Sequence, residues 1–222
     1  TTLSPDELKN PRSAISKSKP ILKDAKHWYI NLDEFEDFIR DWIITEHKDD
    51  WKPNVLGQVK SLLDNGLKPS AVTRDLDWEI PLPLEGIEWQ GKCVYVWLEA
   101  VQGYYSCARI WADRFANSED WRKWWCVSED DVTPRHLYFL GKDNIPFHTV
   151  IWPALIMGLN HANNGLGRED SINLPGPNDL ALESNVPAME YLMLAGGQFS
   201  KSRKHAVWLP SFLARFAPHT PV

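Results

Sequence analysis

The chain has 222 residues, of which 43% are hydrophobic and 24% charged, which is typical of a soluble globular protein. Its formal net charge of -6 at pH 7 argues against a compact stand-alone RNA-binding domain, because nucleic-acid binders present a basic face. No apolar run reaches the length of a transmembrane helix, and the N-terminus has no signal-peptide pattern.

Three cysteines, Cys93, Cys107 and Cys126, are odd in number and widely spaced. They form neither a disulfide framework nor a Cys-x-x-Cys metal site, so a reducing compartment is the simplest interpretation. We therefore expect a cytoplasmic protein that does not contact a membrane.

The first third of the chain predicts an irregular arm followed by a pair of helices. Residues 1–26 are polar and punctuated by proline. Asn31 suits a helix N-cap, with Glu34 three positions later, and an apolar stripe follows at helical spacing. A second amphipathic pattern runs from 55 to 63 and is closed by Asn65-Gly66. The apolar stripe of the first helix consists of Leu32, Phe35, Phe38, Ile39, Trp42 and Ile43.

The character of the sequence changes near Ser70, where we place a boundary between a first domain, residues 1–72, and a second, residues 73–222. In the second domain, Gly91-Lys-Cys-Val-Tyr-Val-Trp-Leu98 predicts a strand because it is rich in β-branched and aromatic residues. A turn is expected over 99–103 and a helix over 104–115. The block Trp121-Arg-Lys-Trp-Trp125 predicts one aromatic helix face.

The stretch 136–157 has the pattern of a strand, a turn and a helix. Leu137 to Leu140 is an apolar run that predicts a buried strand, broken by Gly141 and followed by Lys142-Asp-Asn144. Pro146 suits a first helical turn, and apolar residues recur after it at helical spacing. In open α/β sheets such a turn presents side chains to a ligand at the carboxyl end of a strand.

The remainder of the chain predicts less regular structure. Residues 158–185 have a loop-like composition, and a strand is expected over 189–194, ending at Gly196-Gly197. A short helix is expected over 211–216.

Three segments, each at the end of a predicted strand, together resemble the methionyl-tRNA synthetases, a family of class I aminoacyl-tRNA synthetases. They are Tyr95-Val-Trp-Leu-Glu-Ala-Val-Gln-Gly-Tyr104, Phe139-Leu-Gly-Lys-Asp-Asn-Ile-Pro-Phe-His148 and Gly197-Gln-Phe-Ser-Lys-Ser-Arg203. The resemblance covers essentially the whole chain. It implies an α/β fold in which residues 73–222 form the second half of a Rossmann-like catalytic domain. Residues 1–72 are then a small helical remnant of the family's connective insertion.

The resemblance implies that ATP and an amino acid, methionine in the family, form an aminoacyl adenylate, from which the aminoacyl group passes to tRNA. The amino-acid carboxylate attacks the α-phosphate and expels pyrophosphate, so positioning and charge stabilisation dominate the catalysis. Lys201 matches a signature lysine of the family and is the implied catalytic residue, flanked in the ATP site by Ser200 and Ser202. Gly141 is implied to let the nucleotide approach the backbone, and Asp143 to bind ribose hydroxyls. ATP would bring Mg²⁺ as its counter-ion.

For the amino-acid pocket the resemblance implies Trp97, Ala100, Tyr104, Asn144 and His148. An aromatic wall suits an apolar, polarisable thioether, with a hydroxyl or an imidazole to orient the sulfur. Asn144 and His148 are four residues apart on one predicted helix face.

Each of these residues also has an ordinary structural interpretation. A turn lysine such as Lys201 is usually solvated, an acid after a strand such as Asp143 is often a helix cap, and a lone histidine such as His148 is more often a hydrogen-bonded core residue. Ser16-Lys-Ser-Lys19 resembles the signature loop in composition only. It lies in the proline-rich arm with no strand before it, so we interpret it as solvated surface.

Several elements of the family are not matched: the His-x-Gly-His turn of the ATP site, the zinc-binding cysteines of the insertion and the anticodon-binding helices. We therefore expect half of an ATP site and no zinc or other metal site in this chain. The N-terminal catalytic half is expected to be supplied in cis or in trans.

Smaller departures from the family leave the function open. Gln198 stands where a lysine is common, Lys204 where a glycine usually follows Arg203, Gln102 replaces an apolar residue beside the pocket, and Glu99 replaces aspartate. One alternative is a ligase of secondary metabolism that activates an amino acid for a small nucleophile, as in cupin-fused hydrazine-forming ligases. Another is a non-catalytic amino-acid-binding or scaffold subunit.

Overall fold

A computed structural model describes residues 9–13, 16–21, 24–86, 89–130, 132–167 and 170–216. Parts of the predicted arm, residues 1–8, 14–15 and 22–23, lie outside the described residues. Ser16 to Lys19 is exposed, as predicted. Within the described ranges, no helix combines the length and the apolar character that a membrane span requires.

The first helix of the predicted pair changes its winding along its length. It begins as a 3-10 turn over Leu32–Phe35, is α-helical over Glu36–Ile39 and widens into a π-helix over Arg40–Glu46. Asn31 precedes it as predicted, but its Nδ2 donates to Glu34 Oε1 at 3.0 Å and its side chain makes no cap bond to the backbone.

The second helix spans Pro53–Asp64 and ends before Gly66, whose φ of +74° favours glycine. Two short antiparallel strands, Tyr29–Ile30 and Ser70–Ala71, bracket the helix pair. The apolar stripes meet in the core, as the periodicity predicts. Their buried members are Leu32, Ile39, Trp42, Ile43, Val55, Val59 and Leu63.

The strand predicted over residues 91–98 is wrong beyond residue 94. Only Cys93–Val94 forms a strand, paired antiparallel with Thr73–Arg74. A helix covers Val96–Val101, and a second follows over Gly103–Phe115, so the predicted turn at 99–103 is also wrong. Short apolar runs are ambiguous between strand and helix, and here the helix contacts the one at Phe147–Ile151.

The tryptophan block forms a one-turn helix over Arg122–Trp125. Trp121 and Trp125 are buried, and the ring of Tyr105 packs edge-on against both, with centroids 5.3 and 5.6 Å apart. Trp124 is 62% exposed, so the predicted aromatic face holds only for the two indoles that are four residues apart.

The predicted strand, turn and helix in the centre of the chain are present, with a shorter strand. Leu140–Gly141 pairs in parallel with Ala188–Met189, and a 3-10 turn follows over Lys142–Asn144. The helix winds as a π-helix over Phe147–Ile151 and as an α-helix over Trp152–Asn163.

The strand residues before Leu140 are buried on one side only, which corrects the prediction of a fully buried strand. Tyr138 is buried, whereas Leu137 and Phe139 are exposed. Alternation of this kind places one face of the strand against the core.

The loop predicted for residues 158–185 is wrong at both ends. The helix continues to Asn163, and Leu180 to Glu183 is buried, with Leu180 bridged to Cys126. The buried amide of Asn160 holds the segment that begins at Leu180 in the core. Its Nδ2 donates to the Leu180 carbonyl at 2.9 Å, and its Oδ1 accepts from the Leu180 N–H at 2.8 Å. Asn160, a polar residue whose type is common in loops, thus connects the helix to an extended segment of the core.

The strand predicted over residues 189–194 is divided. Ala188–Met189 lies beside Leu140–Gly141, and Met193–Leu194 forms a hairpin with Gly197–Gln198. A last helix covers Leu209–Arg215.

Contacts cross the boundary predicted at residue 72. Trp51 Nε1 donates to the Ser184 carbonyl at 3.0 Å, and Asn185 Nδ2 donates to the Asp50 carbonyl at 3.0 Å. One apolar cluster contains residues from both sides. The division into two domains stays a prediction.

Candidate functional site

Three residues predicted for the amino-acid pocket are joined by hydrogen bonds. The Tyr104 hydroxyl lies 3.0 Å from His148 Nε2, and His148 Nδ1 lies 3.0 Å from the Asn144 carbonyl. The helix beginning at Gly103 supplies Tyr104, and the turn and helix after Gly141 supply the other two. The two segments meet where sequence spacing alone does not bring them together.

The protonation of His148 follows from these contacts. A carbonyl only accepts hydrogen bonds, so Nδ1 carries the proton. Burial lowers the pKa of His148, against a smaller opposing contribution from the Asn144 carbonyl. The ring is therefore neutral near pH 7, and Nε2 accepts a hydrogen bond from the Tyr104 hydroxyl.

Tyr138 is the residue of this cluster that the sequence analysis did not single out. Its ring centroid lies 5.0 Å from that of Tyr104 and 5.4 Å from that of His148. Its hydroxyl accepts from Trp152 Nε1 at 3.1 Å, and burial raises the pKa of Tyr138, so it stays protonated. An alternation of buried and exposed positions from Leu137 to Phe139 would have identified Tyr138 as buried. The sequence does not show that alternation, because all three side chains are apolar or aromatic.

Trp97 and Ala100 lie on the neighbouring helix, outside the hydrogen-bonded cluster. The Trp97 ring packs on Phe147 with centroids 5.8 Å apart and is 51% exposed. Ala100 is exposed, and Tyr104 remains 46% exposed. Trp97 and Phe147 thus form a partly exposed aromatic pair.

The turn predicted to bind the nucleotide lies at the end of the central strand. Gly141 is extended, with φ -81°, and a Cβ built there meets nothing within 4 Å. Neither packing nor backbone conformation within the described chain requires a glycine here, so close approach of a ligand stays the predicted reason.

The two residues after Gly141 contact a segment 48 positions later in the chain. Asp143 Oδ2 accepts a hydrogen bond from the Tyr191 hydroxyl. Lys142 Nζ lies 2.5 Å from Glu190 Oε2 and 4.8 Å from the centroid of the Tyr191 ring. The Lys142–Glu190 hydrogen bond raises the pKa of Lys142 and lowers that of Glu190, so both are charged.

The predicted signature loop is a tight hairpin with Lys201 and Ser202 exposed at its tip. Ser200 and His205 exchange backbone hydrogen bonds of 2.9 and 3.0 Å. His205 Nε2 donates to the Leu194 carbonyl at 2.7 Å, which fixes the loop to the preceding hairpin.

Two backbone positions restrict the sequence of this loop. A Cβ at Gly197 would lie 3.0 Å from His205 Nε2, so a larger residue there would require the imidazole to shift by a few tenths of an ångström. Lys204, where the family usually has glycine, has a φ of +54°, a conformation that disfavours side chains with a Cβ.

The predicted residues thus lie in three groups. The aromatic cluster and the turn that carries Asp143 are adjacent, and the loop that carries Lys201 is separate from both. Asn144 connects the aromatic cluster with the turn that carries Asp143. The loop with Lys201 is linked to that turn through Glu190 and Tyr191, neither of which the sequence analysis identified.

Two cavities lie away from this site. One, of about 1020 Å³, runs along the acidic side of the first helix, with Phe35 and Trp42 in its wall. The other, of about 380 Å³, is lined in part by Arg135 and Glu183. Glu183 is 2% exposed, and both its carboxyl oxygens lack a hydrogen-bond partner. Burial raises its pKa to about 8, so the group is largely neutral at pH 7.

Among the described residues, no three His, Cys, Asp or Glu side chains are grouped as metal ligands. Cys93 and Cys126 are buried free thiols and Cys107 is an exposed one.

Comparison with known proteins gives consistent matches. The family model described as tRNA synthetases class I (M) matches residues 1–220. Methionine–tRNA ligases of Flavobacterium johnsoniae and Christiangramia forsetii are 45% and 43% identical to the chain over 216 residues. These alignments include 97% of the chain but only 27% and 28% of the two relatives, so the chain spans little more than a quarter of their length.

Solved structures with a similar fold come from Mycobacterium tuberculosis methionyl-tRNA synthetase. The crystal structure bound by methionyl-adenylate matches with a TM-score of 0.59 and 22% identity, over 92% of the chain and 33% of that protein. The apo form matches with a TM-score of 0.52 and 20% identity. At this identity the likeness shows a shared fold.

Proposed function

Because the chain belongs to the class I tRNA synthetases of type M, we propose that it supplies part of an active site for amino-acid activation. In this proposal, methionine and ATP react to methionyl adenylate, and the methionyl group is then transferred to tRNA. Residues 73–222 act as the second half of a Rossmann-like catalytic domain, and residues 1–72 as the remainder of a connective insertion. The N-terminal half is contributed in cis or in trans, in the cytoplasm.

The observation that carries the proposal is the bond between Tyr104 and neutral His148. The Tyr104 hydroxyl donates to Nε2, so its oxygen lone pairs remain available to a ligand. In this proposal the partly exposed pair of Trp97 and Phe147 forms the aromatic wall of the same pocket. An apolar thioether suits such a wall, because methionine sulfur contacts aromatic rings favourably. We assign Asn144 and Ala100 to the margin of the same pocket.

The nucleotide is proposed to bind beside this pocket. Gly141 has open space in front of its backbone, and Asp143 is an exposed carboxylate at the strand end, suited to accept hydrogen bonds from ribose hydroxyls. Mg²⁺ would arrive bound to the phosphates, since it keeps several waters and binds few protein ligands. The reaction itself moves no proton onto this part of the chain; carboxylate attack displaces pyrophosphate, and the protein's task is placement.

Lys201 is the proposed catalytic residue of the loop. Its ammonium group stands at an exposed tip and is free of a partner carboxylate among the described ion pairs. A cation that reaches the phosphates stabilises the charge that develops in the transition state. Ser200 and Ser202 flank it with hydroxyls for hydrogen bonds to phosphate oxygens.

The proposal is tested by ATP–pyrophosphate exchange with the longest natural polypeptide that contains this sequence, called the complete polypeptide below. We expect exchange that depends on methionine. Lys201→Ala should lower kcat by at least about 100-fold, the effect of losing one stabilising group, while Lys9→Ala on the arm should not. If the complete polypeptide shows no exchange with any amino acid, the proposal is contradicted.

A second candidate is a ligase that passes the activated amino acid to a small nucleophile. The altered loop supports it, because Gln198 and Lys204 depart from the family at the hairpin that holds Lys201. Aminoacylation of tRNA by the complete polypeptide would exclude this candidate. A non-catalytic subunit would bind methionine without exchange, which calorimetry distinguishes.

A further inference from the structure

The carboxylate proposed to bind ribose already holds a hydrogen bond within the chain. Oδ2 of this carboxylate, Asp143, accepts a hydrogen bond from the Tyr191 hydroxyl. Both side chains are exposed, so the bond is open to exchange with a ligand from solvent. A ribose diol needs both carboxylate oxygens for two parallel hydrogen bonds, and one of them is engaged.

A second contact holds the same two segments together. Residues 190–192, here called the strap, connect the strand Ala188–Met189 to the hairpin beginning at Met193. Lys142 forms an ion pair with Glu190 and lies over the ring of Tyr191, so consecutive residues of the turn bind consecutive residues of the strap. Asn54 Nδ2, 3.5 Å from Glu190 Oε1, adds a marginal contact.

The strap leads directly into the signature loop. His205 Nε2 donates to the Leu194 carbonyl, and the hairpin strands are hydrogen-bonded to each other, so hairpin and loop form one connected unit. A displacement of the strap is therefore transmitted to the segment that carries Lys201.

We propose that Tyr191 is a positioning residue that occupies the ribose acceptor Asp143 in the nucleotide-free protein and is displaced by the ribose hydroxyls of ATP. This inference rests on the proposed function, in which Asp143 binds ribose. Tyr191 competes with the nucleotide for one carboxylate and thereby lowers the affinity for ATP. Displacement removes one of the two contacts that hold the strap to the turn, so ribose binding and release of the loop are thermodynamically linked.

The test is the affinity of the complete polypeptide and its Tyr191→Phe variant for ATP and for 2′,3′-dideoxy-ATP, measured by calorimetry. Loss of the competing hydroxyl should tighten ATP binding about fivefold, the factor for one net hydrogen bond. Binding of 2′,3′-dideoxy-ATP should stay unchanged, because that ligand has no hydroxyls to offer Asp143. In exchange assays, KM for ATP should fall while KM for methionine stays constant. Tyr29→Phe, at another exposed tyrosine, is the matched control and should change neither affinity.

The outcomes separate the inference from the function on which it rests. If the wild type binds ATP more tightly than the dideoxy analogue but Tyr191→Phe weakens or does not change ATP binding, Tyr191 orients Asp143 or is passive, and the inference is overturned. If Tyr191→Phe tightens both ligands equally, the effect does not pass through the ribose, which also overturns it. If the wild type neither binds ATP nor supports exchange, the proposed function itself fails.

Discussion

The Tyr104 hydroxyl donates to Nε2 of His148 across 3.0 Å, and the direction of this bond is fixed by the carbonyl that holds the proton on the other ring nitrogen. Because the His148 imidazole is neutral and oriented, the Tyr104 hydroxyl is a polar group of fixed direction in the proposed amino-acid pocket. The same two residues make the proposed pocket testable by small substitutions.

Tyr104→Phe removes the hydroxyl and keeps the ring. In the complete polypeptide, we expect KM for methionine to rise about tenfold, because an oriented polar contact to the substrate is lost, while KM for ATP stays constant. Steady-state ATP–pyrophosphate exchange measures both constants. Tyr29→Phe serves as the control, and an equal change in the two KM values would contradict a role in the amino-acid pocket.

His148 should make stability depend on pH. Its pKa is lowered in the folded protein, so below the ordinary histidine range the unfolded chain binds a proton that the folded chain does not. The free energy of unfolding should therefore fall as pH drops below about 6.5. His148→Gln should flatten this dependence, as measured by denaturant unfolding of the complete polypeptide between about pH 5 and pH 8. A variant with the wild-type pH profile would show that His148 does not titrate in this way.

Glu183 should make the free energy of unfolding fall as pH rises, which is opposite to the effect of His148. Its folded pKa of about 8 lies above the ordinary value of 4.5, so the folded protein keeps a proton that the unfolded chain releases. The stability from the neutral form is complete below about pH 4.5 and is lost as pH rises towards 8. Glu183→Gln cannot ionise and should raise the free energy of unfolding by about 2–5 kcal/mol at pH 8, with little effect at pH 4.5.

The matched control for this substitution is Glu129→Gln, at an exposed position. It should leave thermal unfolding unchanged at both pH values. If Glu183→Gln is less stable than the wild type at pH 8, the prediction is contradicted, because the ionised carboxylate must then have hydrogen-bond partners in solution.

Much of the central site follows from local sequence, and the contacts that complete it do not. Gly141 and Pro146 separate a strand, a turn and a helix, and these local signals predicted the order of the three elements correctly but not the length or the burial of the strand. The pairing of Asp143 with Tyr191 joins residues 48 positions apart, and no periodicity or turn signal reports such a contact. Residues 96–98 show the opposite problem, since β-branched and aromatic composition predicted a strand where the chain is helical.

The buried amide of Asn160 gives the last prediction, because it joins the central helix to the extended segment at Leu180 by two hydrogen bonds. Asn160→Asp keeps the shape but removes the donor to the Leu180 carbonyl and buries a carboxylate. We expect a loss of about 3 kcal/mol in the free energy of unfolding, since both an unpaired carbonyl and a buried charge are costly. Asn164→Asp, at an exposed amide on the end of the same helix, should cost less than about 1 kcal/mol. Similar losses in the two variants, measured by denaturant unfolding, would show that the helix end rather than the buried amide sets the effect.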